Sequence, residues 1–299
     1  MQSLADVVSQ RLAHFYGATA AQSAVCYGLP RNSVNGNSRR SAPNLVMQSA
    51  TVRFGDRVAD YLRSRPGYPA ELLDVLVRHC GFGPSSVVAD VGAGTGLLTR
   101  LFLDAGNPVF AVEPNREMRT AFETAYPQSS TLTSVDGRAE ATTLPDASID
   151  LVAAAQAFHW FDRPLARAEF ARILEPGGWV ALIWNDRRLD ATPFLRGYED
   201  LLIRLCPEYL RVVHRNVDES ALRAFFAPCA FEQVVLDNRQ VFDWDGLVSR
   251  HLSSSFVPDN GPERDLNLSA LRSLFDATAV GGNVEFEYDT RIHLGRLHC

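Results

Sequence analysis

Acidic residues are missing from one long stretch of the chain, because none occurs between Asp6 and Asp56. The stretch includes a polar run at residues 31–43, whose low hydrophobicity and turn-rich composition make it a poor core former. We therefore expect residues 1–50 to form a flexible N-terminal extension. Two other interpretations fit the same composition. One is an organelle transit peptide, which is poor in acids and rich in Arg and Ser; the other is translated sequence upstream of a start at Met47.

Cysteines are also few, and they are scattered. The five lie at positions 26, 80, 206, 229 and 299, with no CxxC pair and no Cys/His spacing typical of metal ligands. This pattern predicts reduced thiols in a cytoplasmic protein and no metal site.

Two further features of the composition restrict the partners. The net charge of -6 and a pI near 5.7 argue against nucleic acid, whose phosphates require a basic protein face. No apolar run approaches the ~20 residues that cross a bilayer, so no membrane partner is expected. The hydrophobic content of 46% is enough for a sizeable core. A small-molecule partner fits these limits, and the oligomeric state is not indicated.

From residue 55 onward, short apolar runs alternate with helical periods, which predicts an α/β sheet with crossover helices. The last two strands are long and lack a short crossover, so we expect them to be antiparallel additions to a parallel sheet. Pro176, Gly177 and Gly178 are expected to stop a helix and start strand five. Strands are predicted at 87–91, 108–112, 131–135, 149–154, 179–184, 231–242 and 284–294. Helices are predicted at 57–65, 69–80, 97–105, 116–125, 164–174, 193–206, 218–227, 244–252 and 265–279.

A glycine-rich loop, Gly92–Gly96, lies between the first buried strand and a helix. Two glycines in a turn between a strand and a helix can have a purely structural role, without binding a ligand. The spacing here is G-x-G-x-G, which differs from the dinucleotide pattern G-x-G-x-x-G. Asp90 precedes the loop, and Glu113 follows about 20 residues after it, where an acid can accept both ribose hydroxyls. An acid beside the loop suits a ligand with a cationic amino-acid end, so the pattern suggests an adenosine ligand without pyrophosphate.

Five motifs in order resemble the class I S-adenosylmethionine-dependent methyltransferases. They are residues 88–96 (VADVGAGTG), 111–115 (AVEPN), 137–145 (GRAEATTLP), 150–152 (DLV) and 172–178 (RILEPGG). The resemblance runs from about residue 55 to 185 and is weaker beyond. Residues 65–69 (RPGYP) and 158–161 (FHWF) are similar to the small-molecule branch, the type 11 and trans-aconitate-like enzymes.

The resemblance implies a doubly wound, Rossmann-like, seven-stranded sheet that is mostly parallel. It implies a methyltransferase domain at residues 51–299, with helical substrate-cap elements near 51–80 and 186–280. It also implies S-adenosyl-L-methionine as the cofactor. The cofactor-binding residues would be Asp90, Gly92, Ala93, Gly94, Thr95, Gly96, Glu113, Pro114, Met118, Ala139, Glu140 and Gln156.

Individual roles follow from the same resemblance. Asp90 and the Gly92–Gly96 backbone would hold the methionine portion, Glu113 the ribose hydroxyls, and Met118 would pack on the adenine. The sequence departs from the family at Arg138, where an aspartate often accepts the adenine amino group; Glu140 or a backbone carbonyl would replace it.

The loop after strand four carries a histidine, His159, among aromatic residues. Ligands in this fold lie beyond the carboxyl ends of the strands, so the loop should face the transferable methyl group. Three roles for His159 remain open: a catalytic general base, a contact to substrate, or a packed residue that anchors the loop. Asp162 is expected to cap the following helix.

Several other side chains are candidates for the substrate pocket. Arg65 would neutralise a carboxylate or would be a surface residue at a helix end. The segment at residues 251–258 is expected in the cap, where its serines would contact substrate or only form a turn. Asn185 is expected beside Trp184 at the end of strand five. The predicted substrate-binding residues are Tyr61, Arg65, Tyr68, His159, Trp160 and Trp184.

Together these features predict methyl transfer from S-adenosylmethionine to a small acceptor through an oxygen, either a carboxylate or a hydroxyl. A sulfonium is already an activated leaving group, so a base is needed only for a protonated acceptor. The alternatives are transfer to carbon or nitrogen, and a protein that binds the cofactor without catalysis.

Overall fold

The computed structural model describes residues 64–126, 130–210, 218–254, 256–258 and 260–298, all within one compact unit. The predicted extension at 1–50, most of the predicted helix at 57–65, and Tyr61 lie outside the described residues. The strands are β1 (Val88–Val91), β2 (Val109–Val112), β3 (Leu132–Val135), β4 (Ile149–Ala155), β5 (Leu174–Arg187), β6 (Phe231–Phe242) and β7 (Val284–Gly295). The helices are α1 (Glu71–Cys80), α2 (Leu97–Asp104), α3 (Arg116–Ala125), α4 (Arg163–Ile173), α5 (Pro193–Leu205), α6 (Glu219–Phe226), α7 (Trp244–Leu252) and α8 (Gly261–Thr278).

The strands form one seven-stranded sheet in the order β3-β2-β1-β4-β5-β7-β6. Strands β1 to β5 run parallel to one another, whereas β7 runs antiparallel to both β5 and β6. The predicted doubly wound fold and the two antiparallel additions are therefore confirmed. The strand order reverses at β1 and β4, which is where ligands bind in such sheets.

Local sequence explains the elements that flank this point. All four residues of β1 are buried, as expected for a central parallel strand covered on both faces. The Asn115 side chain begins α3 by accepting hydrogen bonds from the amides of Glu117 and Met118. Asp162 begins α4 by accepting from the Leu165 amide, so the predicted cap is confirmed.

The apolar residues form three clusters. One lies between the sheet and helices α4 and α6 and includes Phe158 and Phe170. Another lies on the opposite face under α1 and α2 and includes Leu76 and Phe102. The third packs α5, α7 and α8 against the ends of β6 and β7. Helices α5, α7 and α8 belong to the region predicted as a substrate cap at 186–280, whereas α6, from the same region, packs in the first cluster. From the other predicted cap region, near 51–80, α1 packs against the sheet. The role of these elements as a cap stays a prediction.

Strand five differs from the prediction at both ends. It begins at Leu174, because Leu174 pairs with Ile149 before the register shifts to the Leu151–Trp179 pair. The glycines that were expected to precede the strand lie in this bulge, where Gly177 adopts a φ of 87°. At the other end the antiparallel partner β7 extends the pairing as far as Arg187. Trp184 therefore lies within β5 and does not end it.

Two smaller expectations also need correction. Helix α8 begins at Gly261 rather than near 265, because Asn260 is still extended and Pro262 occupies the first turn. Cys229 is disulfide-bonded, so the expectation of five reduced thiols is wrong for this residue; Cys80 and Cys206 are free. In the described part of the chain, no helix combines the length and apolar character needed to cross a membrane.

Candidate active site

The glycine loop connects β1 to α2, and close contacts at its first and last glycines leave no room for a side chain there. Gly92 has a φ of 73°, and a Cβ there would lie 2.6 Å from the Ala157 Cβ. Gly96 has a φ of 83°, and a Cβ there would lie 2.2 Å from the Phe122 ring. The first glycine therefore lets the loop after β4 approach β1, and the last lets α3 pack under α2.

Gly94, in the middle of the loop, has an open side. Its φ is 58°, and the one atom within 4 Å of a Cβ built there is the Met118 sulfur, at 3.9 Å. Here the backbone is exposed to the space beyond the strand ends, with Met118 at its border. This is the geometry that a ligand needs to approach the backbone closely.

Glu113 lies at the end of β2, faces this open side and is 6% exposed. Its carboxylate accepts hydrogen bonds from the Gly94 amide at 2.9 Å and from the Asn115 amide at 2.8 Å. Burial raises its pKa, and these two hydrogen bonds act against that change. An ionised carboxylate offers about four acceptor positions, so Glu113 can accept two further hydrogen bonds.

Asp90 is the second buried carboxylate at this point and is 1% exposed. The Thr99 hydroxyl donates to its Oδ2 at 2.5 Å. Burial raises the pKa of Asp90 to about 7, and the nearby charge of Glu113 adds to the shift. Two carboxylates that are buried this close to each other favour a cationic group as their ligand.

The loop after β4 lies across the glycine loop. Gln156 adopts a φ of 55°; its amide donates to the Ile183 carbonyl and its Nε2 to the Asn185 carbonyl at 3.2 Å. Phe158 begins a single 3₁₀ turn and is fully buried. His159 is half-buried and lies 4.5 Å from the Trp160 ring, between centroids. Trp160 is 40% exposed, so it lines the surface beyond the strand ends and is not part of the core.

Glu140 connects this loop to the one after β3. Its Oε1 accepts a hydrogen bond from the Asp162 amide at 2.8 Å, two residues after Trp160. Ala139 is buried and Arg138 is exposed. Glu140 therefore has a structural partner, and its predicted contact to adenine stays a prediction, as does that of Ala139. Of the other predicted residues, Ala93, Thr95 and Pro114 lie half-buried around the open side.

The segment before α1 is held against β5, β6 and β7 by three polar side chains, of which the sequence analysis named Asn185 and missed the other two. Asn238 donates to the Gly67 carbonyl at 2.8 Å, and Asn185 donates to the same carbonyl at 3.1 Å. Thr290 donates to the Asn185 Oδ1 at 2.5 Å. Asn185, Asn238 and Thr290 together form what we call the polar clamp. It fixes Tyr68, which is half-buried, close to this edge of the sheet.

Trp184 has a different environment from the other predicted substrate residues. Its ring meets the Phe158 ring at 6.2 Å and the His293 ring at 5.5 Å, both edge to face. Trp184 is thus packed beside the cluster under α4 and α6, whereas Asn185 points to the opposite face. A contact of Trp184 with substrate stays a prediction.

Comparison with known proteins places this site in a family. Residues 89–182 match the sequence model of a family described as a methyltransferase domain. An uncharacterized methyltransferase from Mycobacterium bovis is 42% identical over 139 residues, which are 46% of this chain and 54% of that protein. An uncharacterized methyltransferase from Geobacillus kaustophilus is 31% identical over 173 residues, which are 52% of this chain and 79% of that protein. The chain belongs to the class I S-adenosylmethionine-dependent methyltransferases.

The fold of the chain agrees with that family. A solved structure assigned as a type II methyltransferase, from Anaeromyxobacter dehalogenans, aligns with a TM-score of 0.58 at 22% identity. The alignment covers 78% of this chain and 98% of that one. The chain spans about half the length of the mycobacterial relative that it matches. The matched residues 89–182 include the glycine loop, Glu113 and His159, and they exclude Arg65, Tyr68 and the polar clamp.

Proposed function

We propose that this chain transfers the methyl group of S-adenosylmethionine to an oxygen of a small-molecule acceptor, either a carboxylate or a hydroxyl. The observation that carries the proposal is the open side of the glycine loop at Gly94, bordered by Met118 and by the buried carboxylate of Glu113. These groups lie where the strand order reverses between β1 and β4.

The residues at this point fit the family's cofactor. Glu113 retains acceptor positions for the two ribose hydroxyls, since it uses two of about four on backbone amides. Asp90 supplies negative charge for the α-ammonium of the methionine portion, and the Gly92–Gly96 backbone gives the close approach. Met118 lies at the border where the adenine would pack. When bound, the cofactor supplies a methyl group on a positively charged sulfur. This sulfur is a good leaving group, and its departure as a neutral thioether needs no acid or metal.

The work left to the protein is alignment of the acceptor and exclusion of water. Gln156, His159 and Trp160 follow β4 directly and contribute the wall that faces the donor. His159 acts as a general base only when the acceptor enters protonated, because a carboxylate is already nucleophilic. Arg65 and Tyr68 close the opposite side on the segment that the polar clamp holds.

A turnover assay tests this function. The full chain is incubated with S-adenosylmethionine and a panel of small carboxylic acids and phenols, and S-adenosylhomocysteine is measured. Acceptor-dependent product, lost in an Asp90→Ala variant, is the expected result. Product formation that survives in Asp90→Ala would overturn the assignment of the loop. Transfer to amines alone would replace oxygen as the acceptor atom.

A further inference from the structure

Two arginines contact the turn that follows α7, and a third, at the end of β5, is connected to one of them through packed aromatic rings. Arg65 donates from Nη2 to the Ser253 carbonyl at 2.9 Å, and Arg250 donates from Nη1 to the Ser254 hydroxyl at 3.1 Å. Both therefore contact the same turn. Arg187, the third, is the last residue of β5.

An aromatic floor connects Arg187 to Arg250. The Arg187 guanidinium lies 5.1 Å from the Tyr198 ring centroid, and that of Arg250 lies 5.7 Å from the Phe286 centroid. The Tyr198 and Phe286 rings pack edge to face at 4.9 Å. Each cation thus lies over a different ring of one packed pair, a favourable cation–π arrangement for both.

The two terminal nitrogens of the Arg187 guanidinium differ in their hydrogen bonding. Its Nη2 donates to Glu199 at 2.6 Å and to the Tyr209 hydroxyl at 3.0 Å, and its side chain is 13% exposed. Its Nη1 is buried and has no hydrogen-bond partner among the residues that the structure describes. A buried donor without an acceptor lowers the stability of the folded protein. A ligand that supplies an acceptor to this nitrogen would therefore gain a favourable hydrogen bond.

The position of Arg187 points to the methyl acceptor as that ligand. Alternate residues of a strand share a face, so Arg187 lies on the same face of β5 as Asn185, about 7 Å further along. The Asn185 carbonyl accepts from Gln156, in the loop that would face the donor methyl group. Asn185 therefore links the strand face that carries Arg187 to the loop that would face the donor methyl group.

We propose that Arg187 binds a carboxylate of the acceptor through Nη1, the nitrogen for which the described residues supply no hydrogen-bond partner. This inference rests on the proposed function, because it takes the ligand to be the acceptor. The planar guanidinium matches a carboxylate better than it matches a neutral amide, and the hydrogen bond is strengthened by charge. Glu199 holds the guanidinium in place through Nη2 and leaves Nη1 directed at the ligand.

The test uses benzoate and its neutral analogue benzamide as probes on the full chain with S-adenosylhomocysteine, followed by calorimetry. We expect benzoate to bind and benzamide to bind at least about tenfold more weakly, the usual size of a charge-assisted contact. The Arg187→Met/Glu199→Gln double variant, which removes both charges and leaves no orphaned acid, should lose benzoate binding.

Arg204→Met is the matched control. Arg204 is an exposed residue of α5, the same helix that carries Glu199, and its change removes one positive charge away from the cluster. Its benzoate affinity should equal that of the wild type. Equal affinities for benzoate and benzamide, no binding of benzoate to the wild type, or full binding in the folded double variant would each overturn the proposal.

The cofactor titration separates this failure from failure of the proposed function. If S-adenosylhomocysteine binds and benzoate does not, the carboxylate site at Arg187 is contradicted and the proposed function is not. Absence of S-adenosylhomocysteine binding would remove the proposed function, and the benzoate titration of the free protein would still decide on the subsite.

Discussion

At the residue scale, the candidate active site is dominated by Asp90 and Glu113, two buried carboxylates with few compensating positive charges among the described neighbours. Burial raises the pKa of both, that of Asp90 to about 7. Arg119 acts on Glu113 in the opposite direction but does not cancel the effect of burial. A cationic ligand at this point would offset the free-energy cost of burying the two charges. Because such a ligand binds the ionised carboxylates, we expect its affinity to depend on pH.

The first prediction concerns this pH dependence. A folded-state pKa of about 7, against 3.8 for an unperturbed Asp90, means that the folded protein binds a proton that the unfolded chain lacks between these values. Stability of the free protein should therefore fall as pH rises from about 4 through 7. Thermal stabilisation by S-adenosylhomocysteine should instead grow from pH 6 to 8, because its ammonium group prefers the ionised carboxylate. Asp90→Asn should flatten that growth in a thermal-shift series; an unchanged slope would contradict the role of Asp90.

The second prediction concerns His159. Its position after β4 allows a general-base role, but only a protonated acceptor needs one. His159→Ala should lower kcat about a hundredfold or more with a phenol, the usual contribution of a general base, and much less with a carboxylic acid. Steady-state kinetics with one acceptor of each kind check this. Equal losses with both acceptors would assign His159 to positioning of the loop.

At the element scale, the glycine loop and the loop after β4 form one unit because their backbones touch. Gly92→Ala adds a Cβ to a left-handed backbone and directs it at Ala157. Gly106→Ala is a matched control, since Gly106 also has a positive φ, of 87°, but open space around it.

The third prediction follows from this pair. Gly106→Ala should cost about 1–2 kcal/mol from backbone strain alone. Gly92→Ala should cost roughly 1–3 kcal/mol more through the added contact, and it should also weaken S-adenosylhomocysteine binding. Chemical denaturation and calorimetry measure the two effects. Equal losses of stability in both variants would show that the contact with Ala157 does not determine the position of the loop.

The polar clamp acts on another element, the segment before α1. Asn185→Ala removes the amide that joins Thr290 to the Gly67 carbonyl, so the fourth prediction is faster hydrogen exchange in a peptide covering residues 64–70. KM for the acceptor should rise more than kcat falls, since Arg65 and Tyr68 would be less well placed. Asn283→Ala serves as the control, because Asn283 is exposed in the turn before β7 and donates to the Gly281 carbonyl. Exchange that is unchanged by Asn185→Ala would mean that other contacts hold the segment.

At the scale of the whole molecule, hydrophobic periodicity was sufficient to predict the sheet. Six strands and eight helices of the described chain lie within a few residues of their predicted bounds, because their apolar runs are bordered by clear turn residues. The failure at β5 has a physical reason. The glycines that suggested a boundary instead form a bulge, and the pairing with β7 that extends the strand to Arg187 is a long-range contact.

The same reason limits how much of the candidate site the sequence predicts. Asp90, Glu113 and the glycine loop are found because they are close together in the chain and form a motif. Asn238, Thr290 and Arg187 meet only through antiparallel pairing across β5, β7 and β6. The sequence did contain one indication of this polar group. Thr290 is the polar member of an otherwise apolar row on alternate residues of β7, which marks a polar contact on the buried face of that strand.

The most direct test of the account is calorimetry of S-adenosylhomocysteine binding to the full chain. We expect one site per chain, with affinity reduced about tenfold to a hundredfold in Glu113→Ala through lost hydrogen bonds to a charged group. Glu123→Ala, which removes an exposed carboxylate on α3, should bind as the wild type does. No detectable heat in the wild type, or equal affinities in Glu113→Ala and Glu123→Ala, would contradict the assignment of this site.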